Sequence, residues 1–302
     1  MGATATGKTA LALALSERVG GEIVSMDSRQ VYRGLDIGTG KPTAAERARA
    51  PHYLIDILDP RERTSAGSHA RRAEDAVKAI AARGRTPLLV GGTGLYFRAL
   101  LEGILDVTIP AEALADIRAE LSPQSTDRLY ARLRAADPAR AAALAPGDRV
   151  RITRALELIA WTGERASDLY ERPRRAAPVA AIKFVLTMPR PRLRETIAAR
   201  TRAMFAAGWG EEVRALLAAG VPPEAPGMRS LGYPEIAEAI AAGRPAAAVE
   251  DAVITRTRQY AKRQETFFRA EAEARWVDVT QPAATAAVIA EAVAFLGGSI
   301  GT

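Results

Sequence analysis

A chain of 302 residues that is 48% hydrophobic, 25% charged and 5% aromatic has the make-up of a globular protein with one large and one smaller unit, which excludes collagenous and disordered classes. The absence of cysteine rules out disulfides, thiolate zinc sites and a cysteine nucleophile, and two histidines, His52 and His69, are too few for a His-rich metal site. The formal charge of +7 favours a polyanionic partner, although an Arg- and Ala-rich composition is also what a GC-rich genome produces.

Thr9 to Val19 reads as a short helix stopped by Gly20 and Gly21, and Glu22 to Met26 as a buried strand. The glycine-rich polar stretch 27–50 is expected to be loop at a strand end, where function tends to reside. Tyr53 to Leu58 is a strand candidate, Ser68 to Arg83 a helix closed by Gly84, and Pro87 to Val90 a strand entering Gly91-Gly92-Thr93-Gly94. This alternation predicts a parallel sheet covered by helices on both faces. From Glu112 to about Tyr170 strand signals vanish and short Arg-rich helices take over, ending at the Pro- and Arg-rich "RPRRAAP". Strand character resumes over Ala181 to Thr187. Long amphipathic helices follow over Arg190 to Ala219 and Ala246 to Arg269, then a strand over Trp276 to Val279 and a helix over Ala283 to Phe295. No run approaches the ~20 apolar residues of a membrane span, and Ala10 to Leu15 is too short for a signal peptide, so a cytoplasmic protein without membrane partners is expected.

Gly2-Ala3-Thr4-Ala5-Thr6-Gly7-Lys8-Thr9 fits the phosphate-loop pattern G-x-x-x-x-G-K-[ST]. The glycines let backbone amides turn inward, Lys8 adds a point charge, and Thr9 is placed to ligate Mg²⁺ at the positive end of the following helix. Such a loop normally hangs from an apolar strand. With none ahead of Gly2, residue 1 is expected to be internal to a longer reading frame. The loop alone allows a kinase, a GTPase or an ATPase. Asp27, at the end of the next strand, allows three roles: Mg²⁺ ligand, cap or general base. Thr93 is either a turn or cap residue or a functional hydroxyl.

Five further stretches narrow the choice. "MDSRQVYRGLDIGTGKPT", "PHYLIDILDP", "LLVGGTGLYFRALLEG", "RVRITRALE" and "GMRSLGYPE", in this order, resemble the tRNA dimethylallyltransferase family over nearly the whole chain. The resemblance implies a P-loop NTPase-like α/β fold: a parallel sheet flanked by helices formed by residues 1–108 and 178–302, with an inserted helical tRNA-binding domain at 109–177. It implies that the loop grips dimethylallyl diphosphate, with Arg200 assisting, and that Asp27 acts as base on an adenine amine beside the tRNA anticodon. Thr93 then faces the reacting centre. Ser28, Arg29 and Gln30 match an adjoining tRNA-contact stretch, Val150, Arg151, Ile152, Thr153 and Arg154 another, and Arg118 a third. Arg229, Gly232 and Tyr233 also match the family. A monomer acting on the tRNA anticodon stem-loop is the implied working unit.

In "ITRTRQYAKRQETFFR" a helical wheel groups Arg258, Lys262 and Arg269, with Arg256 and Arg263 on an adjoining arc and Ile254, Ala261 and Phe268 opposite. The resemblance places Arg258 and Lys262 beside RNA, whereas the wheel alone is equally that of a solvated helix face. His52 and His69 are expected to pack or cap. A small-molecule kinase with a helical lid and a non-catalytic RNA binder are the rival readings.

Overall fold

The computed structural model describes residues 1–105, 107–172, 180–271 and 273–299. The chain divides into two units, one formed by Met1–Leu101 with Ala177–Thr302, the other by Glu102–Ala176.

In the first unit, Gly7 caps α1 (Lys8–Val19) with φ of 79°, a left-handed conformation that glycine adopts without a Cβ clash. β1 (Gly21–Ser25) follows at once and is buried along its length. α2 (Ala44–Arg49) lies inside the stretch expected to be loop. Thr43 and Glu46 make a reciprocal capping box there, enough to hold a single short helix. β2 (His52–Tyr53) is only two residues long, where a strand to Leu58 was expected. Leu54 and Asp56 take φ of 63° and 58°, and the Asp56 carboxylate pairs with Lys41 and Arg47, which turns the chain out of an extended path. α3 (Ala66–Ala82), β3 (Thr86–Val90) and α4 (Gly94–Leu101) complete the alternation. β1 is the central strand, parallel to β2 on one side and to β3 on the other, with Gly21 opposite Thr86 and Ser25 opposite Val90.

The regular elements among the second unit's described residues are all helices: α5 (Ala111–Leu121), α6 (Thr126–Ala136), α7 (Pro138–Ala142), α8 (Arg149–Thr162) and α9 (Ala166–Glu171). Leu121, Leu129, Leu133, Ile152 and Leu156 form its core. The buried Asp137 carboxylate caps α7 at Arg140 N and accepts from Ser167 N at 2.7 Å, tying α7 to α9. Most of "RPRRAAP" falls outside the described residues.

The first unit resumes with β4 (Phe184–Thr187), α10 (Arg190–Ala206), α11 (Trp209–Ala218), α12 (Tyr233–Ala241), α13 (Glu250–Phe268), β5 (Arg275–Asp278) and α14 (Ala284–Ser299). The helix expected over 190–219 is two helices, because Gly208 takes φ of 98° and swings Trp209 inward onto Tyr233. β4 and β5 pair in parallel as a second sheet. The ladder is therefore in two pieces: Gly2 bridges Leu186 of β4, and Leu186 N donates to Met1 O at 2.9 Å. A groove of about 230 Å³ is lined by β3, the start of β4, α1 and α14 through residues such as Leu15, Leu88, Phe184 and Val288. β3 is half-buried despite its apolar sequence, since it is the edge strand that lines this groove.

Candidate active site

A cavity of about 970 Å³ opens in the first unit, lined by the phosphate loop, the ends of β1 and β3, the 37–42 loop, α10 and α13. Thr4, Ala5, Gly7, Lys8 and Thr9 face it. Gly2, Ala3 and Thr6 are buried behind them as support, with Thr6 Oγ1 donating to Ala3 O at 2.8 Å. Ala3 and Ala5 pack on Leu193 and Ile197 of α10 and Ala261 of α13, which anchors the loop to both helices. Lys8 Nζ donates to Ala3 O at 2.6 Å. Burial, then the like charge of Arg200, lowers the Lys8 ammonium to about 8, with Asp27 opposing. Arg200 reaches the same cavity from α10, and burial lowers its pKa too, against the pull of Asp27. Two cations crowded together in a low-dielectric wall constitute a site for a polyanion.

Asp27 lies just past the end of β1 and lines the cavity. Its Oδ1 accepts Arg29 N at 2.8 Å and Gln30 N at 3.3 Å, an Asx turn that fixes the plane of the carboxylate. Thr93 lies beside the cavity lining, where its Oγ1 accepts from Ser28 N at 3.1 Å. Its hydroxyl thus ties the strand-end loop of β3 to that of β1, and it is the Thr93 carbonyl that receives Tyr96 N as α4 begins. Ser28, Arg29 and Gln30 also line the cavity. Arg29 Nη1 is spent on Pro226 O at 3.1 Å, and Gln30 spans Ser25 Oγ at 3.0 Å and Gly40 O at 3.1 Å, so both brace loops of the protein. Opposite them, the Glu212 carboxylate collects the backbone N–H groups of Asp36, Ile37 and Gly38, shaping the 37–42 wall.

The remaining expected contacts divide. In the second unit, Val150 is 80% exposed, whereas Ile152 is fully buried. The Ile152 side chain packs with Leu129 and Leu133 in the core of that unit. Arg118 Nε and Arg154 Nη1 grip the buried Glu157 carboxylate at 2.6 and 3.1 Å, Arg151 pairs with Asp148, and Thr153 is partly exposed on α8. On α13 the exposed Arg258 and Lys262 lie outside the cavity lining, while Arg256 and Arg263 belong to it. Ile254, Ala261 and Phe268 are buried on the opposite side of α13. His69 is buried, with Nε2 on Ser25 O at 2.9 Å and its ring stacked on Tyr96 at 4.2 Å; burial pushes it down to about 4. His52 Nδ1 pairs with Ala50 O at 2.7 Å.

Two residues of the site escaped the sequence reading. Tyr260 lines the cavity, and burial followed by the charge of Asp27 pushes its phenol up to about 12. Gln264, one turn on, is buried between the phosphate loop and Gly92. Their i, i+4 spacing inside a polar run was the available signal.

A family model described as IPP transferase matches residues 30–271. The chain belongs to that family. Relatives named tRNA dimethylallyltransferase include one from Halorhodospira halophila, 47% identical over 277 residues, spanning 90% of this chain and 89% of the relative. Another, from Stenotrophomonas maltophilia, is 46% identical over 291 residues, spanning 92% and 90%. Among solved structures, a tRNA isopentenylpyrophosphate transferase from Bacillus halodurans superposes with a TM-score of 0.69 at 34% identity, covering 98% of this chain and 94% of that one. The family thus confirms the P-loop NTPase-like α/β fold, with its parallel strands flanked by helices, that the motifs predict. Among the described residues no helix is long and apolar enough to cross a membrane.

Proposed function

We propose that the chain transfers the dimethylallyl group of dimethylallyl diphosphate to the exocyclic amine of the adenine beside the anticodon of tRNA, releasing diphosphate. The reading rests on one observation: a cationic phosphate loop and an oriented carboxylate share one cavity. As the allylic carbon–oxygen bond breaks and the carbon–nitrogen bond forms, charge grows on the departing diphosphate. Loop amides, Lys8 and Arg200 bind that charge more tightly than they bind the substrate, which lowers the barrier. The amine is a weak nucleophile, so holding it against the allylic carbon matters at least as much as removing its proton. Both backbone bonds fall on Asp27 Oδ1, which leaves Oδ2 to orient the amine and take that proton. The Thr93 hydroxyl serves at the bridging oxygen.

The described residues hold no group of three His, Cys, Asp or Glu side chains able to bind a metal. The Thr9 hydroxyl is an oxygen donor at the phosphate loop, which suits Mg²⁺ completed by phosphate oxygens and water. Bound there, Mg²⁺ would neutralise diphosphate charge.

The adenine must leave its stack to reach the cavity, at a cost of a few kcal/mol that is smallest in a single-stranded loop. The tRNA anticodon stem-loop is the partner we assign. The residues of the first unit suffice to line the cavity, and we take the working form to be a cytoplasmic monomer. The test is incubation with labelled dimethylallyl diphosphate and unmodified tRNA, with ATP as competing donor. Label entering the RNA is the expected result; phosphoryl transfer from ATP to a metabolite, with the allylic donor ignored, would overturn it.

A further inference from the structure

The Gln264 carboxamide joins the two halves of the active site. It is buried on α13 and satisfied at both ends: Oε1 accepts Thr4 N of the phosphate loop at 2.8 Å, and Nε2 donates to Gly92 O at 2.8 Å. The loop it meets is held closely as well. Met26 N donates to Val90 O at 2.8 Å and Thr93 N to Met26 O at 3.2 Å, so residues 91–93 are packed against the residue preceding Asp27. Gly92 is the residue that permits this approach, since a Cβ there would lie 2.2 Å from Gln264 Nε2. One turn earlier on the same helix, Tyr260 lines the same cavity. A continuous series of hydrogen bonds therefore runs from Thr4 through Gln264 to Gly92, and from Thr93 to Ser28 beside Asp27.

We infer that Gln264 is a positioning residue that sets the distance between the diphosphate cup and the acceptor side of the cavity, so that the donor's leaving group and the Thr93–Asp27 pair are held in register. The inference builds on the prenyl-transfer reading. A neutral carboxamide meets both demands, an acceptor toward the Thr4 amide and a donor toward the Gly92 carbonyl, without placing charge beside a diphosphate. Methionine keeps the length and loses both bonds. Asparagine keeps the chemistry and falls one methylene short.

The experiment compares the native chain with Gln264→Met and Gln264→Asn in three measurements. These are binding of inorganic diphosphate by calorimetry, single-turnover transfer at saturating donor, and binding of tRNA, each scaled to the folded fraction. Gln264→Met is expected to weaken diphosphate binding several-fold and to slow the single-turnover step about tenfold, as loss of an alignment that supports the ground state and supports the transition state more should. Its affinity for tRNA should stay within about twofold. A residue that only holds the fold would lower the active fraction and leave the rate per folded molecule unchanged, and that result overturns the inference. Gly92→Ala supplies an independent arm. It should slow transfer by pushing the carboxamide aside, and Gly92→Ala with Gln264→Asn should recover part of the loss, because the shorter side chain clears the new methyl. Strictly additive losses would contradict the coupling. If the native chain binds diphosphate yet transfers no prenyl group, the functional reading fails while the diphosphate measurement still tests the role of Gln264.

Discussion

The arginines of the helical unit and the cations of the cavity come from the same basic composition and use their charge in opposite ways. Arg118 and Arg154 close on the buried Glu157, Arg151 on Asp148, and Arg149 donates to Gln124 O at 2.7 Å and Ser122 O at 2.9 Å. Each is engaged with an acceptor of its own unit. In the cavity, burial lowers both Lys8 and Arg200, the nearby charge of Arg200 lowers Lys8 further, and Asp27 only partly offsets this. Cations matched by carboxylates hold a fold together; cations buried against each other carry a standing electrostatic cost that a polyanionic substrate relieves. The location of positive charge is therefore a weaker guide to ligand binding than its neutralisation.

Breaking the cavity side gives the largest effect. Lys8→Met should lower kcat/KM for the allylic donor about 10²–10³-fold, the scale for removing one preorganised group from developing charge, with little change in melting temperature. Steady-state kinetics beside a thermal melt checks both parts. Breaking the helical unit should do the reverse. Arg118→Ala leaves Glu157 with one partner instead of two and should cost about 1–3 kcal/mol in urea unfolding, with the donor KM unaltered. The loss stays below that of a fully buried pair because the Arg118 side chain is 44% exposed. Should Arg118→Ala keep full stability and instead weaken tRNA binding, the comparison fails and the expected RNA contact stands in its place.

A titration sharpens the same contrast at a neutral site. His69 is uncharged in its buried position, its pKa lowered to about 4 from the 6.5 of a free imidazole. The unfolded chain binds the extra proton between those values, so stability is complete above pH 6.5, and falls as pH drops toward 4. Two and a half units correspond to roughly 3 kcal/mol. Urea unfolding at pH 7 and at pH 4.5 should show most of that slope, and His69→Gln should flatten it.

The parts of the molecule that were legible in the sequence are those written locally. The phosphate loop is a contiguous spacing, Asp27 follows a buried strand directly, and the Ile254, Ala261 and Phe268 face of α13 follows from helical period alone. What escaped depends on partners distant in the chain. Arg118 and Glu157 lie 39 residues apart, and Gln264 is 260 residues from the Thr4 amide it accepts. Ile152 sat among basic residues that suggested RNA, while its burial depends on α6 packing against α8. The short strand at β2 failed for a tertiary reason too, since Lys41 and Arg47 capture Asp56 and bend a run whose composition favours extension.

The smallest effect concerns the backbone of the cup. Ala5 has φ of 66°, a left-handed conformation that costs an L-residue roughly 1–2 kcal/mol. Ala5→Gly removes that strain, but it also removes a buried methyl packed near Leu193 and Ile197, worth about 0.8 kcal/mol, and adds about 0.5–1 kcal/mol of unfolded-state entropy. The three contributions nearly cancel, so the melting temperature should move by no more than about 1 kcal/mol implies, a few degrees for a chain of this size. A β-branched side chain cannot escape the strain in the same way. Ala5→Val should therefore destabilise the loop and raise the donor KM, while Ala5→Gly leaves both nearly where they were. If Ala5→Gly instead proved as damaging as Ala5→Val, the methyl contact with α10 and α13, and not the backbone angle, would be what holds the cup in shape.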